Sequence, residues 1–493
     1  MLANKFFYFL KNISYNGEIR NHVNKMVSRE FRSIHDLTKS IVSGASTVSV
    51  DAKARQFCIK YVNLSSEEKK DLFIHLTKYY GVDHNLVLQM SQTIVSNKDK
   101  GECFRMRAEE KLKTALMPSY QELFSRIGRL EKGVKFLVDL RTDLLDLIAL
   151  VDNIHPYFYQ LKALNATLRD LLSLWFSVGF LQLERVTWDS SCDMLQKISE
   201  YEAVHPMRSW TDLKSRVGLY RRCYVFTHSS MPKEPVVVLH TALTNEIASS
   251  IQSIVINQRM HSEGDINLTL NRLEDPKNIS AAIFYSITST QRGLQGIELG
   301  TQLIKRVVQE ILTEFPHLTQ FSTLSPIPGF KTWLMLEIQK YEKQEQTVEN
   351  FFTNDELSIL ERHLVENTYS VIPRLKKLLS SNSWINDEIL SNILHIPLMR
   401  ICAHYLYKEK RRGYALNNVA NFHLRNGAVL WRLNWKADLS PRGLDNSCGM
   451  MVNYRYFLDK VEEFSCMYVE KQEIEASDQF IQLLKPISFS SSL

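Results

Sequence analysis

The spacing of apolar residues changes near residue 179, and this change constrains the fold more than any other feature of the sequence. Residues 29–178 carry apolar side chains at helical spacing, with few glycines, prolines or β-branched runs. Leu130–Leu150 is the clearest case, because its apolar residues recur every three or four positions and form one stripe. The sequence therefore predicts a helical bundle over 29–178.

Strand-like patterns begin only after residue 179. Helical spacing at 297–314 lies among them, and it returns over 331–410. Strands interleaved with helices predict an α+β fold class, in which an α/β domain with a helical insertion follows the bundle. The predicted strands are Phe180–Trp188, Pro235–His240, Ser280–Ile287, Leu318–Leu324 and Ala428–Trp435.

Length, charge and cysteine content exclude several classes of protein. The 493 residues indicate two or three domains. The 60 basic and 54 acidic residues give a net charge of +6, and no basic run reaches the length typical of a nucleic-acid contact. The seven cysteines form no CxxC pair, and no apolar stretch reaches the length of a membrane span. We predict no nucleic-acid partner, no membrane insertion and no metal.

Both ends of the chain resemble targeting signals. The first 35 residues are basic, poor in acids and carry an aromatic cluster at 6–9, which is typical of a mitochondrial presequence. We predict a presequence over 1–28, with a plain surface helix as the alternative. The chain ends Ser491-Ser492-Leu493, which differs from the Ser-Lys-Leu peroxisomal signal at its central base. The predicted location is the mitochondrial matrix, with the peroxisome and cytoplasm as further destinations.

The first candidate site is the junction Thr290–Gly300, between a predicted strand and a predicted helix. Gly293 and Gly296 permit a sharp turn, and the first N–H groups of the following helix can bind phosphate. The junction is neither a P-loop nor a GxGxxG turn. It resembles the phosphate-binding loop of the acetyltransferase superfamily, inexactly, because Leu294 stands where that motif has glycine. A purely structural turn is the alternative.

The second candidate is Ser325, at the end of the predicted strand 318–324. Pro326 restrains Ser325 to an extended backbone, and Pro328-Gly329 predicts a rigid turn after it. A hydroxyl on such a backbone suits repeatable hydrogen bonding. No GxSxG surrounds the serine, so nucleophilic catalysis is not indicated. An ordinary serine in a turn is the alternative.

The third candidate is His423, which precedes the predicted strand 428–435. Asn421, Arg425 and Asn426 flank it, whereas His395 and His404 lie on predicted helices. An imidazole with polar neighbours can donate a hydrogen bond to a carbonyl or titrate near neutral pH. A structural histidine is the alternative.

Six long segments, taken in their order along the chain, resemble the malonyl-CoA decarboxylase family. The resemblance covers nearly the whole chain from about residue 40. Asn418 departs from it, because proline is expected there; we expect the change to affect loop stiffness rather than chemistry. The segments are YEAVHPMRSWTDLKSRVGLYRRCY (201–224), GLQGIELG (293–300), LSPIPGF (324–330), PLMRICAHYLY (397–407), RGYALNNVANFHLRNGAVLWRLNW (412–435) and GLDNSCGMMVNYRYF (443–457).

The resemblance implies a function for each part of the chain. It implies a helical oligomerisation domain at 29–178, forming tetramers, and an acetyltransferase-like (GNAT-type) catalytic domain at 179–493. It makes Ser325 and His423 the catalytic residues of malonyl-CoA decarboxylation, in fatty acid metabolism. It maps the substrate-binding segment onto Gln295, Gly296, Ile297, Glu298, Leu299, Gly300 and Thr301.

The implied chemistry requires no cofactor, because the thioester carbonyl itself can hold the electrons released with CO2. The enzyme must stabilise the resulting enolate and protonate its carbon. The sequence is also compatible with two other functions. One is a CoA-dependent N-acyltransferase, which would need an amine acceptor, and the other is an inactive CoA-sensing protein. The sequence leaves open whether Ser325 or His423 delivers the proton.

Overall fold

The computed structural model forms two compact units. The first contains the described chain as far as Gln182, with residues 227–234 and 291–298; the second contains Leu183–Phe226, Pro235–Thr290 and the chain from Leu299 onward. Within the described chain, no helix is long and apolar enough to cross a membrane. The structure describes residues 33–44, 47–97, 101–255, 274–297, 299–342, 352–364 and 371–485.

The first unit is built from helices packed along apolar stripes. Leu137, Leu140 and Leu144 are completely buried on one of them, as their spacing predicts. The helices are α1 (33–42), α2 (Thr47–Val62), α3 (Ser66–Tyr80), α4 (His84–Ser96), α5 (Glu102–Ala115), α6 (Tyr120–Gly128), α7 (Gly133–Leu150) and α8 (Phe158–Trp175).

Helix α3 shows how local sequence sets a helix start. The Ser65 hydroxyl accepts a hydrogen bond from the Glu68 N–H at 3.3 Å, and the Glu68 carboxylate accepts one from the Ser65 N–H at 2.8 Å. This reciprocal capping box satisfies two N–H groups that a helix start leaves without partners. The pattern Ser-x-x-Glu therefore sets where α3 begins.

The second unit is organised by one mixed sheet. The strands are β1 (Leu181–Val186), β2 (Arg221–His228), β3 (Val237–Thr244), β4 (Ala281–Ser289), β5 (Gln320–Thr323), β6 (Ser325–Pro326), β9 (Val429–Asn434) and β10 (Met451–Tyr456), with a separate pair β7 (Lys410–Arg411) and β8 (Tyr414–Ala415). The strand order in the sheet is β1-β2-β3-β4-β5-β10-β6, and β9 pairs with β10. Strands β4 and β5 run parallel, and helix α12 (Leu299–Glu314) follows β4.

Helices accompany this sheet, and four of those in the described chain form the predicted insertion between β6 and β7. The predicted order, a helical domain followed by a mixed α/β domain with a helical insertion, is confirmed. The helices of this unit besides α12 are α9 (Cys192–Tyr201), α10 (Trp210–Arg216), α11 (Ile251–Val255), the insertion helices α13 (Phe330–Glu342), α14 (Asn354–Leu364), α15 (Val371–Ser381) and α16 (Glu388–Tyr407), then α17 (Asn418–Arg425), α18 (Pro441–Ser447), α19 (Val461–Cys466) and α20 (Asp478–Leu483).

Strand β2 was not among the predicted strands, because two arginines open it. The Arg222 side chain is only 2% exposed, and it reaches Glu274 at 2.6 Å and Glu314 at 2.5 Å. These carboxylates compensate a charge that would otherwise be costly to bury. Tertiary ion pairing thus allows a sequence that alone indicates a surface segment to form a buried strand.

Gly427 ends helix α17 with a left-handed backbone, φ +74°. A Cβ atom at this position would lie 1.9 Å from the carbonyl oxygen of Val461 on α19. Both the backbone conformation and the close approach require glycine. Gly427 therefore fixes how the chain leaves α17 and enters β9.

We predict that Gly427→Ala lowers the free energy of unfolding by about 2–4 kcal/mol, because it adds a clash to a strained backbone. Urea denaturation would measure the loss. Gly179→Ala is the matched control, since no described atom lies within 4 Å of the added carbon. Equal stability of the two variants would contradict the assigned role of Gly427.

Candidate active site

Ser325 lies in β6, where its backbone is held on both sides. It pairs with Val452 of β10, and Pro326 pairs with Met451. Gly329 then adopts φ +83° in the turn that leads into α13. The side-chain amide of Asn417 donates to the Pro328 carbonyl at 2.8 Å and so ties this turn to the start of α17. The extended backbone and following turn predicted for Ser325 are present.

His423 lies within helix α17, not in a polar loop before a strand as predicted. The Asn417 side chain caps this helix by accepting from the Ala420 N–H at 2.9 Å. Asn418 is the first residue of the helix, a position that also favours proline, so the expectation of a loop there is wrong. The capped helix carries the imidazole into the interior, where it is 3% exposed.

The side chains of Asn421 and Arg425, which flank His423 in the sequence, have other partners. The Asn421 side chain accepts from the Tyr468 hydroxyl at 2.9 Å, and Arg425 lies over the Tyr414 ring. Because side chains one or two positions apart point in different directions on a helix, flanking polarity was a misleading reason to select His423.

Two tyrosines of β10 form the surroundings of the imidazole instead. The Tyr454 ring stacks on it, with centroids 4.6 Å apart and planes 25° from parallel. The Tyr456 hydroxyl lies 2.8 Å from Nδ1. Neither tyrosine was identified from sequence.

Strand alternation brings these groups to one face of the sheet. Val452 pairs with Ser325, and Tyr456 pairs with Phe321, so the register places Tyr454 opposite Thr323. Residues two apart on a strand point to the same face. The intervening residues Leu324 and Met451 belong to an apolar core cluster.

A chain of hydrogen bonds runs across the site. The Ser325 hydroxyl donates to Thr323 Oγ1 at 2.9 Å, and Ser325 Oγ lies 3.3 Å from His423 Nε2. Since the serine proton is directed at Thr323, the hydrogen between Ser325 and His423 comes from Nε2. His423 Nδ1 is then left to accept the Tyr456 proton.

Burial fixes the charge state of this chain. It lowers the pKa of His423 to about 3, so the imidazole is neutral at physiological pH. It also raises the pKa of the Tyr456 hydroxyl far above its ordinary value, which keeps the phenol protonated as a donor. The arrangement therefore presents a neutral Nε2–H donor beside a serine hydroxyl.

The sequence did carry a signal for the missed residues. Val452, Tyr454 and Tyr456 alternate within the segment MMVNYRYF, which is the period of a strand with one buried face. That segment was not among the predicted strands. Thr323 was overlooked for a different reason, because its role depends on the pairing between β5 and β10.

The predicted substrate-binding segment divides between the two units. Gln295, Gly296 and Ile297 belong to the first unit, and Gly296 adopts φ +82°. Glu298 lies outside the described residues. Leu299, Gly300 and Thr301 form the first turn of α12 in the second unit.

Gly300 connects this first turn of α12 to the helix that carries His423. A Cβ atom on Gly300 would lie 3.0 Å from Cζ of Phe422, the residue before His423. Glycine thus permits close packing of α12 on α17. The structure brings the second half of the predicted segment beside the candidate catalytic helix.

The buried imidazole predicts a pH dependence of stability. The pKa of His423 is 6.5 in an ordinary setting and about 3 when folded. Between these values the unfolded chain binds a proton that the folded chain does not. The free energy of unfolding should therefore fall as pH is lowered from about 6.5, by up to about 1.4 kcal/mol per pH unit from this group.

Urea denaturation of the wild type and of His423→Asn at several pH values between 7.5 and 4 would measure this contribution. The variant cannot titrate at position 423, so its stability should depend less steeply on pH. Parallel curves for the two proteins would contradict a neutral buried imidazole.

Comparison with known proteins identifies the family. The malonyl-CoA decarboxylase C-terminal domain family matches residues 179–492, and the corresponding N-terminal domain family matches residues 80–176. Malonyl-CoA decarboxylase, mitochondrial, from Rattus norvegicus is 46% identical over 450 residues, which is 90% of this chain and 88% of the relative. The enzyme of the same name from Anser anser anser is 45% identical over 448 residues, 90% of this chain and 85% of the relative.

Solved structures agree with this result. Malonyl-CoA decarboxylase from Rhodopseudomonas palustris superposes with a TM-score of 0.76 at 29% identity, over 92% of this chain and 99% of that one. The protein of the same name from Agrobacterium vitis gives a TM-score of 0.76 at 27% identity, over 92% of this chain and 100% of that one. The chain belongs to the malonyl-CoA decarboxylase family.

Proposed function

We propose that this chain converts malonyl-CoA to acetyl-CoA and CO2, with Ser325 and His423 as its catalytic residues. Family membership supports the reaction. The observation that carries the residue assignment is the hydrogen-bond chain Tyr456–His423–Ser325–Thr323, in which Ser325 Oγ lies 3.3 Å from His423 Nε2. Two residues 98 positions apart in sequence are thereby held within one buried site.

Decarboxylation requires a hydrogen-bond donor at the oxygen where negative charge develops. When the bond between the carboxylate and the α-carbon breaks, CO2 leaves and its electron pair forms an enolate on the thioester oxygen. A neutral Nε2–H can donate to that oxygen, and one such donor typically contributes about 3–4 kcal/mol to transition-state stabilisation. The lowered pKa of His423 favours this polarising role over transfer from an imidazolium.

The α-carbon must then receive a proton. Ser325 and His423 each hold a proton at the site, and both groups are stronger acids than the α-carbon of acetyl-CoA. We assign the protonation step to this pair, and a proton from solvent then restores the neutral donor. The Tyr456 and Thr323 contacts keep the two groups oriented in the meantime.

The CoA portion of the substrate is assigned to residues 295–301. Gly296 has a backbone open to a close ligand, and the first turn of α12 supplies N–H groups of the kind that bind phosphate. Glu298 is included by family resemblance alone. Energy from binding this remote portion would hold the malonyl group in its reactive geometry.

A CoA-dependent N-acyltransferase is the rival enzyme, and a CoA-sensing protein is the rival without catalysis. The first requires an amine acceptor, and the second binds malonyl-CoA without consuming it. Incubation of the purified protein with malonyl-CoA alone discriminates between them. Release of CO2 and acetyl-CoA without an acceptor excludes both alternatives.

We further propose that the protein is a homo-oligomer, a tetramer, assembled through its helical domain. Helix α4 supports this, because it has no buried residue although six of its 13 residues are apolar. Leu88 is 60% exposed and Val95 is 71% exposed. Such a surface is typical of a protein interface.

The proposed location is the mitochondrial matrix, since the similar rat and goose proteins are named mitochondrial. Peroxisomal and cytoplasmic pools are proposed from the C-terminal Ser491–Leu493. Both this end and the proposed presequence 1–28 lie outside the described residues. The end of one matching family domain at residue 176 and the start of the other at residue 179 support the proposed domain boundary at 178/179.

We predict that His423→Asn and Ser325→Ala each lower kcat for malonyl-CoA by about a hundredfold or more, because each removes a group that acts in the transition state. Binding of CoA should change little. His404→Asn, on the partly exposed face of α16, is the matched control and should retain normal turnover. Near-native turnover in either active-site variant would remove that residue from the mechanism.

Tyr456→Phe should lower kcat by about tenfold to a hundredfold, because it removes the donor that fixes the His423 tautomer. KM should change less than kcat, and a new ionisation should appear in the pH profile. Tyr454→Phe is the control, because within the described chain its hydroxyl has no hydrogen-bond partner while its ring stacks on the imidazole. Similar losses in both variants would show that ring packing, not the hydroxyl, is responsible.

A further inference from the structure

Arg141 is a buried arginine of the helical unit that binds the turn leading to residue 296. It lies on α7 and is 2% exposed. Its guanidinium donates to the carbonyl of Gly293 at 2.6 Å, to the carbonyl of Gln295 at 2.9 Å and to Asn165 Oδ1 at 2.9 Å. Two of its three partners therefore belong to one turn, which lies in the same compact unit.

The turn also packs tightly on α7. A Cβ atom on Gly293 would lie 1.9 Å from the carbonyl oxygen of Val138, so only glycine can occupy this position without movement. Val138 and Arg141 are three residues apart and lie on one face of α7. Gly293 and Arg141 together determine where the backbone of residues 293–296 lies.

Within the described chain, none of the groups that Arg141 hydrogen-bonds is acidic. Its three acceptors are two carbonyls and an amide oxygen, all neutral. Burial and then the charge of Arg169 lower the pKa of Arg141 to about 10, an effect that the charge of Asp170 opposes, and Arg141 stays protonated at neutral pH. A buried cation hydrogen-bonded only to neutral oxygens is costly, and an anionic ligand nearby would reduce this cost.

Other cations around the turn are paired differently. Lys135 lies 2.5 Å from Asp139, Arg292 lies 2.5 Å from Asp146, and Arg169 lies 3.0 Å from Asp170. These three pairs involve partly exposed side chains, so their charges are already compensated and screened. Of these four cations, Arg141 differs in that its hydrogen bonds within the described chain all go to neutral oxygens.

We propose that Arg141 is a positioning residue for the diphosphate of CoA: it holds the 293–296 turn in the conformation that binds the phosphates, and its charge favours their presence. This proposal rests on the assignment of residues 295–301 to CoA binding. It gives the helical unit a part in substrate recognition besides assembly.

The proposal predicts that Arg141 matters only for substrates that carry the nucleotide portion. Malonyl-CoA has the diphosphate, whereas malonyl-N-acetylcysteamine has the same reacting thioester without phosphates. Loss of the turn conformation should raise KM for malonyl-CoA and leave the kinetics with malonyl-N-acetylcysteamine unaffected. A residue that merely stabilises the fold would affect both equally.

The experiment compares kcat and KM of wild type, Arg141→Lys and Arg141→Gln for both thioesters, in the full chain. Arg141→Lys keeps the charge but loses the forked contact to two carbonyls. We expect KM for malonyl-CoA to rise about tenfold or more in both variants, in line with loss of charge-assisted hydrogen bonds. Values for malonyl-N-acetylcysteamine should stay within about twofold of wild type.

Arg126→Gln is the control for net charge, because Arg126 pairs with Glu122 on the surface of α6 in the same unit. It should leave both substrates unchanged. Thermal unfolding with and without CoA provides a second readout: CoA should raise the Tm of the wild type and of Arg126→Gln, and raise that of the Arg141 variants less.

The outcomes separate this proposal from the proposed function. If the wild type does not decarboxylate malonyl-CoA, the proposed function fails. If the wild type is active but the Arg141 variants lose activity equally with both thioesters, the role of Arg141 is purely structural and the proposal is wrong. The same conclusion follows if CoA raises the Tm of the Arg141 variants as much as that of the wild type.

Discussion

The pairing of β10 with its neighbours is the interaction on which the site depends. One edge of β10 pairs with β5 and β6 in a single register, and its other edge pairs with β9. This register places Tyr454 and Tyr456 on the face shared by Thr323 and Ser325. A shift of β10 by one residue would turn Tyr454 and Tyr456 to the opposite face, because side chains alternate along a strand.

Burial gives this constellation its chemical character. An exposed histidine would titrate near neutral pH, whereas His423 is held neutral by the absence of solvent around its ring. Tyr456 then specifies which nitrogen carries the proton. Protonated phenol, neutral imidazole and serine hydroxyl form a chain of oriented dipoles, which can stabilise a developing enolate without reorganising.

Prediction from sequence succeeded where apolar residues recurred at one regular helical spacing. The apolar stripe in α7 follows from nearby residues, and it is present. It failed for β2, whose arginine is neutralised by residues 52 and 92 positions away. His423 was selected for its polar sequence neighbours, whereas the tyrosines that contact its ring are more than 30 residues downstream.

The sequence by itself determined the division into a helical and a mixed α/β part, the extended backbone of Ser325 and the glycine turns at 293 and 296, because each depends on residues close in the chain. Family resemblance then coupled Ser325 to His423. Only the tertiary structure decided the helical setting of the imidazole, its neutral charge, its tyrosine partner and the contact of Arg141 with the turn. These properties arise from strand register and burial, which bring distant residues together and exclude the solvent that would otherwise set their protonation.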